Sequence, residues 1–128
     1  MNPVVHFELP YKVAVRAAHF YEQVFGWKIQ QLGPEMNDYI LVTTTESDAV
    51  PGKPAGAIDG GMFPVKPDWP YQYPSIVIGV GNVQETIELI TRHGGEVHGE
   101  PMDIPGTGLY VSFRDTEGNR NSILQPNM

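Results

Sequence analysis

Two titratable side chains, His6 and Glu8, stand two residues apart in the opening stretch V-V-H-F-E-L-P. The stretch alternates, so it predicts a strand over residues 4–9, with Val5, Phe7 and Leu9 on one face and Val4, His6 and Glu8 on the other. A histidine titrates near neutral pH, and a carboxylate beside it can steady its charge. The chemistry open to the pair is general acid–base catalysis with His6 as base and Glu8 as its polar neighbour, or metal ligation. A purely structural role is open as well: a histidine hydrogen-bonded to Ser75 or Ser122 beside a cavity. The other three histidines carry less. His19 falls on the first helix, either at its surface or in its packing, His93 in a last helical turn where a cation suits the dipole, and His98 beside Val97 on a solvent-facing strand position.

The remaining candidates are ligand contacts. Ser75 and Ser122 are small hydroxyl groups that can hydrogen-bond a small molecule. A serine nucleophile needs an adjacent base and an oxyanion hole, and nothing local supplies them. Trp69, Tyr71 and Tyr73 lie in P-V-K-P-D-W-P-Y-Q-Y-P, where they form either an aromatic wall over a ligand or anchors that hold a long loop to the core or fill a dimer interface. Tyr110 closes I-P-G-T-G-L-Y, a flexible lip whose glycine spacing does not match a phosphate-binding loop.

The elements that must position these residues repeat. After the first strand, Ala17, Phe20, Tyr21, Val24 and Phe25 recur as one apolar stripe, predicting a helix over 13–25 with Gly26 as its C-cap. W-K-I-Q-Q-L-G and D-Y-I-L-V-T-T-T read as strands, residues 46–56 as a loop, and A-I-D-G-G-M-F as a short strand whose glycines suit a bulge or a close backbone approach. Four prolines make residues 64–74 a stiff connector. Then the order recurs: S-I-V-I-G-V as a strand with Ile76, Ile78 and Val80 on one face; a helix over 83–93 with Val83, Ile87 and Ile90 along one side, Asn82 and Glu85 as a capping box and Gly94 as its stop; and strands at E-V-H-G-E-P, G-L-Y-V-S-F-R and R-N-S-I-L-Q, the last two joined by D-T-E-G-N. Each half reads strand-helix-strand-strand-strand. The expected fold is α+β: one domain over 1–128, with βαβββ units at 1–63 and 75–128 forming a curved mixed sheet around a cleft.

Composition limits the partners. The chain has 128 residues, no cysteine, and 8 Lys+Arg against 15 Asp+Glu, for a net charge of -7. Disulfides, thiolate metal sites and cysteine nucleophiles are excluded. The acidic balance disfavours nucleic acid and favours small cationic ligands. No apolar run reaches membrane-spanning length and no signal segment precedes the first strand, so a soluble, cytoplasmic protein without membrane partners is expected.

The pieces H-F-E-L-P, A-H-F-Y-E-Q-V-F-G-W-K-I and G-G-E-V-H-G-E-P-M-D-I-P-G-T-G-L-Y-V-S-F-R-D-T-E-G-N-R-N-S-I-L-Q-P, in that order, resemble the vicinal oxygen chelate superfamily of glyoxalase I, extradiol dioxygenases and bleomycin-resistance proteins. The resemblance implies a homodimer. It also implies, in the metal enzymes, four ligands from the first and last strands of each unit. Carried over one at a time, those positions hold His6, Ser75, Ser122 and the Gly60–Phe63 stretch. One of four is a ligand, and Glu8 lies about 7 Å along the strand from His6, too far to replace the others. A catalytic zinc needs three protein ligands, so neither metal nor other cofactor is expected. The resemblance then implies a metal-free small-molecule-binding protein, like the bleomycin-resistance members, with a ligand touching His6, Glu8, Ser75, Ser122, Trp69 and Tyr110. Its alternative is a glyoxalase-like lyase or isomerase, or a dioxygenase, acting on a small carbonyl or aromatic compound with His6 as base or metal ligand.

Overall fold

The computed structural model describes residues 1–45, 57–70 and 72–127. The loop expected over 46–56 and Tyr71 lie outside the described residues. Two compact units emerge, His6–Pro74 and Met1–Val5 with Ser75–Met128. The fold is α+β, with two βαβββ units and mixed strand pairing.

In the first unit the elements run β1 (Val4–Tyr11), α1 (Ala14–Phe25), β2 (Lys28–Gln31), β3 (Ile40–Thr43) and β4 (Asp59–Pro64). The sheet order is β2-β3-β4-β1, antiparallel except for the parallel pair β4/β1, in which His6 lies opposite Asp59 and Glu8 opposite Gly61. Ile40, Val42, Met62 and Tyr11 are buried, and Phe7, Leu9, Ala17, Tyr21 and Trp27 pack on them. The β1 alternation therefore holds: its apolar face meets this core, and His6 and Glu8 take the other face.

Helix α1 ends as the sequence predicts. Gly26 adopts φ 72°, and its amide donates to the Glu22 carbonyl at 3.0 Å. The expected stripe is only half right. Ala14, Ala17, Ala18 and Tyr21 face the core, while Phe20, Val24 and Phe25 are exposed. Three of the four core-facing positions are alanines, so the strip that the helix buries is narrow. The aromatics beyond the strip stay in solvent, although Tyr21 stacks on Trp27 with centroids 4.9 Å apart. The first turn has no side-chain cap and no acidic residue.

The second unit repeats the plan. It holds β5 (Ser75–Gly79), α2 (Val83–Arg92), β6 (Glu96–Ile104), β7 (Gly108–Arg114) and β8 (Arg120–Pro126), in the order β5-β8-β7-β6. The first and fourth strands again pair in parallel, Val77 opposite Ser122. Pro3, just before β1, joins this unit by accepting the Gly79 amide at 2.8 Å. Val80, Val83, Val111 and Ile123 form the core, with Ile78, Ile87 and Ile90 against it. Ile76, expected on the same face, is exposed near the start of its strand, whereas Val77 on the opposite face is buried.

Asn82 caps α2 by accepting the Glu85 amide at 3.0 Å. Strand β6 is longer than E-V-H-G-E-P. A register break between His98 and Met102, with Gly99 at φ 83°, carries it past a bulge. At the D-T-E-G-N turn, Asp115 accepts the amides of Asn119 and Glu117, each at 2.9 Å, and the bonds from Asn119 chiefly hold its carboxyl below the usual carboxylate range. Among the described residues no helix is long and apolar enough to cross a membrane.

Candidate functional site

The polar face of β1 finds its partner in Tyr39, a residue the sequence reading passed over. Tyr39 follows a tight turn. A 3-10 turn over Pro34–Met36 runs into Asn37 and Asp38, both at φ 55°, and their amides return to the carbonyls of Pro34 and Gly33 at 3.0 and 3.1 Å. Asn and Asp are the non-glycine residues that best tolerate this left-handed region. The turn delivers Tyr39 to the head of β3, where its carbonyl accepts the Leu32 amide at 2.9 Å.

From there the phenol reaches both members of the pair. Its oxygen lies 3.1 Å from His6 Nε2, and its O–H donates to Glu8 Oε2 at 2.9 Å. The side chain crosses Gly61, where a Cβ would collide with the phenol. The glycine expected to mark a close approach does so here, but the approaching group is a side chain. Gly60 does the same for the ring of Phe7 on the opposite face.

The hydrogen bonds fix the protons. A phenol has one proton to donate, and it goes to Glu8. His6 Nε2 must therefore be the N–H donor toward Tyr39, which leaves the lone pair on Nδ1. Burial lowers the His6 pKa from 6.5, against the opposing pull of Glu8 and then Asp59. Burial therefore favours the neutral ring. Asp59 is itself held by the Thr44 amide, at 2.8 Å. Glu8 is only 7% exposed. Among the described residues no buried side-chain N or O atom lacks a hydrogen-bond partner. The result is a neutral base whose far nitrogen is tied through a phenol to a buried carboxylate. Within its own unit the partner of His6 is the Tyr39 phenol.

The serines belong to a second array. Ser122, fully buried, donates to the Tyr110 hydroxyl at 2.7 Å and lies 3.4 Å from Ser112 Oγ. Arg120 donates to Ser112 at 2.7 Å and reaches Ser75 at 3.5 Å. Ser75, Ser122 and Tyr110 thus come together in one hydroxyl array through Arg120 and Ser112. The two arrays occupy equivalent places in their units. Leu41 pairs with Gly61 and Ser112 with Ser122. Tyr39 and Tyr110 each stand two residues before the first member of such a pair, on the same face. A register match between the units would have revealed Tyr39, and the sequence alone does not supply it.

Trp69 does not serve as a core anchor. It is 61% exposed, with the Lys66 ammonium 5.3 Å from its ring centroid, and Tyr73 is exposed too. Gln72 fixes the connector instead, bonding Lys66 through both its amide and its carbonyl. His19 and His93 are exposed. His98 is half-buried, its Nε2 3.8 Å from Glu96.

The donor set does not fit a metal. Among the described residues no three His, Cys, Asp or Glu side chains group closely enough to hold one. His6 Nε2 is committed to Tyr39, and the fourth-strand position is a glycine beneath a phenol.

The matched βαβββ units with polar residues on their first strands define a known class. Residues 4–123 match the model of the Glyoxalase/Bleomycin resistance protein/Dioxygenase superfamily, and the chain belongs to that superfamily. A "Glyoxylase-like domain-containing protein" of Didymella fabae is 30% identical over 117 residues, covering 91% of this chain and 88% of that one. A hypothetical protein from Bacillus halodurans has a similar structure, with TM-score 0.71, 13% identity and coverage of 99% and 96% of the two chains. Methylmalonyl-CoA epimerase from Mycobacterium tuberculosis is similar at TM-score 0.67, 11% identity and coverage of 98% and 88%. The chain is thus a glyoxalase-like domain protein.

Proposed function

We propose that the chain is a metal-free small-molecule-binding protein in which His6, Tyr39 and Glu8 move a proton on a small carbonyl compound. One observation carries the reading: a single phenol within hydrogen-bond distance of both His6 Nε2 and Glu8 Oε2. Nδ1 of neutral His6 takes the proton from the carbon next to the carbonyl, and the electron pair moves into an enolate. The imidazolium keeps its Nε2–H on Tyr39, and the charges of Glu8 and Asp59 favour it. Return of the proton to the same or the neighbouring carbon completes an epimerisation or isomerisation. No oxidant, water or cofactor is consumed. Methylmalonyl-CoA epimerase, similar in fold, is by name an enzyme of this reaction type. The proposal itself rests on the residues of this chain.

Tyr110 is the proposed ligand contact of the hydroxyl array, with Ser122, fully buried, and Ser75, nearly so, acting through it by hydrogen bonding, and Trp69 is a proposed contact through its exposed ring. The proposal takes residues 1–128 as one domain of a cytoplasmic homodimer.

The test is solvent-deuterium incorporation into a panel of small hydroxy- and keto-carbonyl compounds, with chelator-treated protein. Exchange that falls on the order of 10²–10⁴-fold in His6→Gln supports the proposal. Exchange unchanged in His6→Gln contradicts it. Tight binding without exchange moves the protein to the ligand-sequestering reading.

A further inference from the structure

We infer that the groove where β1 passes into α1 binds a small organic anion with an apolar body. The groove is wide open to solvent, with a volume of about 460 Å³, within the range of small-molecule sites. Pro10, Val13, Phe20 and Tyr21 give it an apolar wall, and Lys12 and Arg16 place two cations on it. It shares no residue with either polar array. The inference goes beyond the proton-transfer reading and stands without it.

Charge decides the occupant. The chain as a whole is acidic, with a net charge of -7, yet the two charged side chains that line this groove are both positive; the carboxylate of Asp38, whose charge is felt by Tyr11 in the wall, is not among the lining groups. Lys12 and Arg16 are exposed, and among the described residues neither side chain has a hydrogen-bond or ion-pair partner. No acidic residue lies in the first turn of α1 to neutralise them. The Tyr11 hydroxyl, which could compete for an anion, donates to the Asp38 carbonyl at 2.6 Å. Arg16 can offer a planar fork to a carboxylate or sulfonate, and Lys12 a point charge beside it.

The body of the ligand follows from the wall. Phe20 is 52% exposed and meets Tyr21 edge-on at 5.1 Å, so a flat or branched apolar group gains contact and removes aromatic surface from water. A neutral ligand leaves both cations unanswered, and a cationic one is repelled. An aryl or alkyl carboxylate or sulfonate matches both features.

The probe is 1-anilinonaphthalene-8-sulfonate, followed by its fluorescence on the whole protein, with neutral N-phenyl-1-naphthylamine as control. The sulfonate is expected to bind saturably and more weakly as salt rises from about 50 to 500 mM. Lys12→Ala/Arg16→Ala is expected to weaken it about tenfold or more. His6→Gln is expected to leave it unchanged, which separates this site from the proton-transfer array. Both cations are exposed, and circular dichroism checks that the double variant folds. Equal affinity for the neutral probe, unchanged sulfonate binding in the double variant, or no saturable binding each overturns the inference.

Discussion

The two units solve one packing problem with different chemistry. Each sends a tyrosine from its third strand across the face of its fourth. In the first unit the position beneath the phenol is Gly61, and the hydroxyl passes over it to His6 and Glu8. In the second the position is Ser122, whose Oγ stops the phenol of Tyr110 at 2.7 Å. In the first unit the tyrosine reaches ionisable groups on the first strand; in the second, whose first strand S-I-V-I-G carries none, it ends in a hydroxyl network. The fold is common to both units, and the chemistry is not.

Making the first unit like the second is the severest test of this comparison. Gly61→Ser puts a Cβ into the space of the Tyr39 phenol, and overpacking of this kind costs about 2 kcal/mol. Urea denaturation should show a lower midpoint, and the His6 ring resonances should shift. An unchanged midpoint means that Tyr39 does not depend on the glycine. The reverse exchange, Ser122→Gly, removes a fully buried hydroxyl and its bond to Tyr110. It should cost about 1 kcal/mol, and the same urea series measures it.

The pH dependence separates the units further. His6 has its pKa lowered by folding, so the native state binds fewer protons than the unfolded chain. Its contribution to stability is fully present above pH 6.5 and is lost as pH falls through the lower folded value. In His6→Gln this part of the slope should vanish, while Ser122→Gly should keep it. A slope that survives in His6→Gln belongs to other groups. The smallest effect is expected at Trp69. Its ring is exposed, so Trp69→Ala should change stability by less than about 0.5 kcal/mol while weakening any ligand it touches.

Much of the fold is local and therefore legible in sequence. Gly26, Gly118 and Asn82 act through their own backbone or a neighbour three residues away, and strand alternation placed His6 and Glu8 on one face. What escaped is what depends on register and packing depth. Tyr39 owes its role to two left-handed residues before it and a glycine on another strand, a conjunction that no local pattern displays. The α1 stripe misled because periodicity gives a direction, not how much of an apolar surface the sheet covers. Arg120 escaped because its partner Ser112 lies on a different strand. Trp69 was open between a ligand wall, a loop anchor and a dimer-interface filler, and its exposure removes the anchor.

The central claim is that Tyr39 holds His6 as a neutral base with its proton on Nε2. The direct measurement is ¹⁵N NMR of the His6 ring across a pH titration, in the parent protein and in Tyr39→Phe. The account predicts the Nε2–H tautomer at pH 7 and a titration below 6.5, with tautomer preference lost in Tyr39→Phe. A proton on Nδ1, or a midpoint above 6.5, contradicts it.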